Sequence, residues 1–175
     1  MRVLVLLSGG QDSTTVLFRA LDDGHEVYAL TINYGQRHAI EIGAAARVYE
    51  EALKHYRPLL LGHEILHIGS ILESSSPLVS DNELEQYADH QSLPGGIERT
   101  FVPLRNQLFL TIAANRAVAR HCESIHLGVS QEDYGGYPDC RIPFLIAIGD
   151  AIDAGLEGVA KVDIEAPLVQ MTKAD

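Results

Sequence analysis

The sequence predicts an α/β protein with a doubly wound, mainly parallel sheet flanked by helices. Two observations carry this: strand and helix patterns alternate along the whole chain, and the first strand, "RVLVLL" (Arg2–Leu7), is apolar without polar alternation. An unalternated Val/Leu run is what a strand needs when helices cover both faces of its sheet. A third observation concerns location. The glycine-bearing and charged motifs follow the strands, and ligands of open parallel sheets bind beyond the carboxyl ends of the strands.

The elements follow in order. After Arg2–Leu7, Asp12 or Ser13 is expected to cap a helix whose stripe is Val16, Leu17, Ala20 and Leu21, with Gly24 ending it. "EVYALTI" (Glu26–Ile32) is the second strand, and an Ala-rich helix runs from about Ala39 to Leu53. "EILHI" (Glu64–Ile68) reads as the third strand. Residues 69–100 turn to Ser, Pro, Gly and acids, a texture that predicts an irregular excursion or lid within a single domain of 1–175. Order returns at Pro103 with a helix whose core side is Leu108, Ile112, Ala113 and Val118. "SIHLGVS" (Ser124–Ser130) is a strand, Phe144–Gly155 a helix, and Val162–Pro167 holds a last short strand.

Composition narrows the function classes. The 175 residues carry a net charge of −11, which leaves no basic footprint for a nucleic-acid backbone. Each arginine near a motif therefore gains weight. No run reaches the roughly 18 apolar residues of a membrane span, and Val3–Leu7 is too short for a signal peptide's apolar core. The two cysteines, Cys122 and Cys140, form neither a disulfide framework nor a CxxC knuckle, which points to a reducing cytoplasm.

"SGGQDS" (Ser8–Ser13) carries the most chemistry. Two glycines between a strand and a helix let the backbone approach an oxyanion, and the first helical amides point unpaired N–H groups at it. The loop has neither the "GK[ST]" of a Walker A motif nor GxGxxG, and it carries Asp12 where a kinase has Lys. The plainer reading is a strand-to-helix turn with ordinary caps. A literal HExxH, "HEILH" at 63–67, invites a zinc-protease reading. The strand rhythm argues against it: at about 3.3 Å per residue His63 and His67 would lie roughly 13 Å apart.

"SGGQDST" resembles the PP-loop of the ATP pyrophosphatase superfamily, a Rossmann-like fold of the adenine nucleotide alpha hydrolase type. "NYGQRH" (Asn33–His38), "VPLRNQLFL" (Val102–Leu110) and "GVSQEDYGGYPDCR" (Gly128–Arg141) add a more specific resemblance. Together they are similar to the 7-cyano-7-deazaguanine synthase family, almost end to end and in the same order. The resemblance implies a cytoplasmic, Mg²⁺-dependent ligase in the pathway to queuosine or related deazapurines. It would use ATP and ammonia to convert 7-carboxy-7-deazaguanine to the nitrile preQ0. It implies that Leu7, Ser8, Gly9, Gly10, Gln11, Asp12, Ser13 and Thr14 hold ATP, with Arg37 and His38 on the neighbouring rim. Asp12, Arg105, Asn106 and Lys173 would serve catalysis, Asp12 holding Mg²⁺ on the leaving pyrophosphate. Asp133, Tyr137, Asp139 and Arg141 would line the base pocket.

Each residue also has a plainer role. Tyr137-Pro138-Asp139 makes a good turn, Arg37 a solvated loop arginine, and Cys140 a pocket-wall residue rather than a nucleophile. Family members continue into a segment with four zinc-binding cysteines. This sequence ends at Asp175 without them, so zinc is implied but its ligands are absent from these residues. Homodimers are common in such a family. Two other functions stay open on the sequence: a different PP-loop ligase, or a non-catalytic module that holds ATP or a deazapurine.

Overall fold

Central burial sets the architecture. In the computed structural model, described for residues 1–35, 40–74, 76, 78, 101–130 and 137–171, Val3, Leu4 and Val5 of the first strand are all buried. That strand, β1 (Arg2–Leu6), lies in the middle of a five-stranded sheet ordered β3-β2-β1-β4-β5, and every pairing is parallel. The other elements are α1 (Gln11–Asp22), β2 (Glu26–Asn33), α2 (Ile40–Tyr56), β3 (Leu60–His67), α3 (Arg105–Ala119), β4 (Ser124–His126), α4 (Ile142–Gly155) and β5 (Asp163–Glu165). The doubly wound expectation is met.

Side-chain alternation along β1 divides the core in two. Val3, Val5 and Leu7 pack with Val16, Leu17, Ala20 and Leu21 of α1 and with Ala45 and Ala52 of α2. Leu4 packs the other way, with Leu110, Ala113, Ala114 and Ala117 of α3 and Ile148 and Ile152 of α4. The chain winds outward through β2 and β3, then returns to place β4 on the opposite side of β1. The order reverses between β1 and β4, which opens a crevice at their carboxyl ends. Among the described residues no helix is long and apolar enough to cross a membrane.

Several boundaries differ from the sequence reading. The N-cap of α1 is Gly10, with no side-chain cap, so neither Asp12 nor Ser13 caps the helix. Ser13 instead turns its hydroxyl back to the carbonyl of Gly10, at 3.1 Å. β3 begins earlier than expected, at Leu60, because the Val27 amide already donates to Leu59 just before it. β4 is only three residues long. Beyond His126 the chain leaves the ladder and runs against the first turn of α1, where a Cβ on Gly128 would lie 2.7 Å from the Asp12 carbonyl carbon. On α3 the buried face is Leu110, Ala113, Ala114 and Ala117; Ile112 and Val118 are only partly buried and Leu108 lies outside that face. α4 starts two residues early, at Ile142, with Pro143 in its first turn where a proline costs no hydrogen bond. The "HEILH" segment is a strand: His63 hydrogen-bonds Thr31 and His67 hydrogen-bonds Asn33, both on β2.

Candidate functional site

The loop after β1 is held by its own serines. Ser13 Oγ donates to the Gly10 carbonyl, so it accepts from the Ser8 amide at 3.2 Å and from Ser8 Oγ at 3.0 Å. Gly10 N–H in turn donates to Ser8 Oγ at 3.3 Å. Gly9 has φ +85°, and a Cβ there would lie 2.4 Å from the Ala45 amide nitrogen. Glycine is therefore required both by conformation and by the close approach of α2. The first amides of α1 have no acceptor within the helix and lie at the positive end of its dipole, and Ser13 of that first turn lines the crevice.

The crevice is a cleft of about 280 Å³. Its floor is the carboxyl edge of β1, β2 and β4, where Leu7, Thr31 and Leu127 lie. Ser8 and Ser13 line one side, and Arg105, Asn106 and Phe109 of α3 line the facing one. Among the described lining residues Arg105 is the only cation and Glu41 the only anion. In a chain of net charge −11 that placement gives the cleft a local attraction for an oxyanion. Aromatic rings supply the apolar wall: Tyr34 lies 5.2 Å from Phe109, and Tyr137 lies 5.4 Å from Phe101.

The N-terminus of α3 is anchored from a distant segment. Asn106 N–H donates to Asp139 Oδ2 at 3.2 Å, and its side-chain amide donates to the Asp139 carbonyl at 3.1 Å. Asp139 is buried, and burial pushes its carboxyl above the usual range, against the Asn106 amide and the Arg105 charge. Pro138–Cys140 form one 3-10 turn, so the expected turn exists and serves as this anchor. Leu104 precedes the helix with φ 60°, a left-handed conformation at its N-cap.

The sequence-predicted residues separate accordingly. Leu7, Ser8, Ser13, Arg105, Asn106 and Tyr137 meet at the cleft. Gly9, Gly10, Gln11, Asp12 and Thr14 belong to the same loop and first helical turn but are not among its described lining residues. Asp139 holds α3 rather than facing the cleft, and Arg141 is exposed at the N-cap of α4. Arg37, His38, Asp133 and Lys173 lie outside the described residues. Cys140 is buried in the cleft wall. Thr31 and Glu41 line the cleft without having been singled out by sequence; Tyr34, Phe109 and Gly128 stand inside the quoted motifs without an assigned role. A threonine among apolar residues at the carboxyl end of a buried strand was the available signal for Thr31.

An open parallel sheet with a glycine turn and helix N-terminus beside its switch point, and an arginine in the crevice, defines an α/β protein of the kind that binds ligands beyond its strand ends. Comparison with known proteins narrows that class. The chain belongs to the family of the queuosine biosynthesis protein QueC, whose model matches residues 2–175. The 7-cyano-7-deazaguanine synthase of Gloeobacter violaceus is 47% identical over 175 residues, covering 99% of this chain and 72% of its own. That of Thermoplasma acidophilum is 40% identical over 176 residues, covering 99% and 71%. Among solved structures, a predicted subunit of tRNA methyltransferase from Methanocaldococcus jannaschii matches with a TM-score of 0.53 at 16% identity. It covers 99% of this chain and 71% of that one, a likeness of fold alone.

Proposed function

We propose that the chain converts 7-carboxy-7-deazaguanine and ammonia to 7-cyano-7-deazaguanine at the expense of ATP. The observation that carries this reading is the meeting of the Ser8–Ser13 loop and Arg105 across one cleft at the sheet's switch point. Synthase relatives at 47% and 40% identity support the substrate class.

In this reading the substrate carboxylate is activated by ATP and pyrophosphate leaves. Ammonia then displaces the activating group to give an amide, and a second activation with loss of water gives the nitrile. The protein's part is positioning and charge stabilisation. The amides at the start of α1 and the Arg105 guanidinium hold the departing pyrophosphate from two sides. A Walker-type lysine is unnecessary, since no γ-phosphoryl group is transferred. The aromatic wall of Tyr34, Phe109 and Tyr137 offers flat apolar surface to the purine-like rings.

Mg²⁺, when bound, would neutralise charge on the pyrophosphate. Among the described residues no three His, Cys, Asp or Glu side chains converge to hold a metal ion. Asp12, half-buried in the first turn of α1, would supply one carboxylate oxygen, and phosphate and water the rest. That donor pattern fits Mg²⁺. Among the described residues the donors do not fit zinc: Cys122 and Cys140 are both buried and no metal-holding group forms around either.

Mass detection of the nitrile after incubation with 7-carboxy-7-deazaguanine, ammonia, ATP and Mg²⁺ tests the reading. Nitrile accompanied by AMP is the expected outcome. Another carboxylate as the preferred acceptor would overturn the substrate assignment. ATP bound but never cleaved would overturn the enzymatic one.

A further inference from the structure

A chain of hydrogen bonds from β3 ends on the residue that opens the glycine loop. Thr31, buried on β2, donates its hydroxyl proton to the carbonyl oxygen of Leu7 at 2.6 Å. That hydroxyl has a single proton. Its 2.8 Å contact with His63 Nε2 therefore runs the other way: the imidazole N–H donates and Thr31 accepts. Leu7 also donates its amide to the Leu30 carbonyl, at 2.9 Å. Both polar groups of Leu7 are thus fixed by β2, one residue before Ser8 leaves the sheet.

The neighbours of the relay are built to keep it in place. The Tyr49 ring of α2 lies 5.0 Å from the His63 ring, tilted by 34°. Burial holds the imidazole below its usual pKa, which favours the neutral form, and the single Thr31 proton places the imidazole N–H on Nε2. The same α2 brings Ala44 and Ala45 against Gly9. Loop and relay are clamped by one helix.

We propose that Thr31 and His63 are positioning residues, whose relay fixes the Leu7 carbonyl and so sets the Ser8–Ser13 loop in its anion-accepting shape before a ligand arrives. A preset loop avoids the ordering cost that binding would otherwise carry. The inference rests on the reading of the cleft as an ATP site, but its first test does not.

Hydrogen exchange over residues 6–16 is compared in Thr31→Val, Thr31→Ser and His63→Phe, with KM and kcat for ATP measured alongside. Thr31→Val should speed exchange of the loop amides roughly fivefold, the size of one lost hydrogen bond, and raise KM for ATP more than it lowers kcat. Thr31→Ser should restore slow exchange, because it keeps the hydroxyl. Wild-type exchange and KM in Thr31→Val would overturn the proposal, as would Thr31→Ser behaving like Thr31→Val. Should Thr31→Val fail to fold, the half-exposed site of His63→Phe carries the same comparison. An inactive wild type would remove the ATP reading and leave the exchange result to decide the relay.

Discussion

Two glycines and two charged residues set the site's requirements at the residue scale. Gly9 and Gly128 are contact points between elements: a Cβ on either would approach backbone atoms to 2.4 and 2.7 Å. Gly128→Ala is therefore expected to cost about 1–3 kcal/mol, read from a denaturant midpoint, since the obstructing atoms are backbone and cannot rotate away. Gly24 also has positive φ but open space around it, so strain alone acts there. For the charges, Arg105→Ala should raise KM for ATP by roughly tenfold or more, as expected when hydrogen bonds between charged groups are lost. Asp12→Ala should weaken the dependence on Mg²⁺ while ATP still binds. Activity and Mg²⁺ response both unchanged in that variant would remove Asp12 from the metal site.

Element-scale behaviour centres on α3, which reaches the cleft at one end and ties down the sheet edge at the other. At its N-terminus the buried Asp139 receives the Asn106 amide. Its folded pKa is raised above the ordinary 3.8 by burial, so the fold binds this proton more tightly than the unfolded chain does. The sign follows: its contribution is most favourable below 3.8 and declines as pH rises through the folded pKa. Asp139→Asn should flatten that part of the stability–pH curve, as measured by thermal melts from pH 4 to 7. A slope equal to wild type would contradict the burial argument. Towards the other end, Arg116 of α3 and Arg120 at its C-cap both pair with Glu64 on β3, and Arg120 lies over the Tyr28 ring at 5.1 Å. All three charges are partly exposed, so Glu64→Gln should cost only about 1 kcal/mol.

At the scale of the whole molecule, one half-buried and one buried imidazole make stability depend on pH. Burial depresses His63 and His126 below the ordinary 6.5, although Glu165 pulls His126 the other way. The unfolded chain then binds more protons, so stability is full above 6.5 and falls as pH drops through it. The melting temperature at pH 5.5 should lie below that at 7.5, and His126→Gln should narrow the gap. The sheet and its winding were legible in the sequence because they follow from apolar runs such as Arg2–Leu6 and from alternation, both local properties. The loop was legible too, from its glycines and its place after a strand. Asp139 was not: its bond to Asn106 spans 33 positions, and a Pro-Asp turn looks alike whether it faces a ligand or caps a helix. The early end of β4 was equally hidden, since the close approach of Gly128 to the first turn of α1 is a long-range contact. In the proposed reading, the fold brings together a cleft for activating a carboxylate. The most direct test is the product set from the chain with 7-carboxy-7-deazaguanine, ammonia, ATP and Mg²⁺. The account predicts 7-cyano-7-deazaguanine with AMP and pyrophosphate, formed by Arg105→Ala only at higher ATP; ADP and phosphate, or intact ATP, would contradict it.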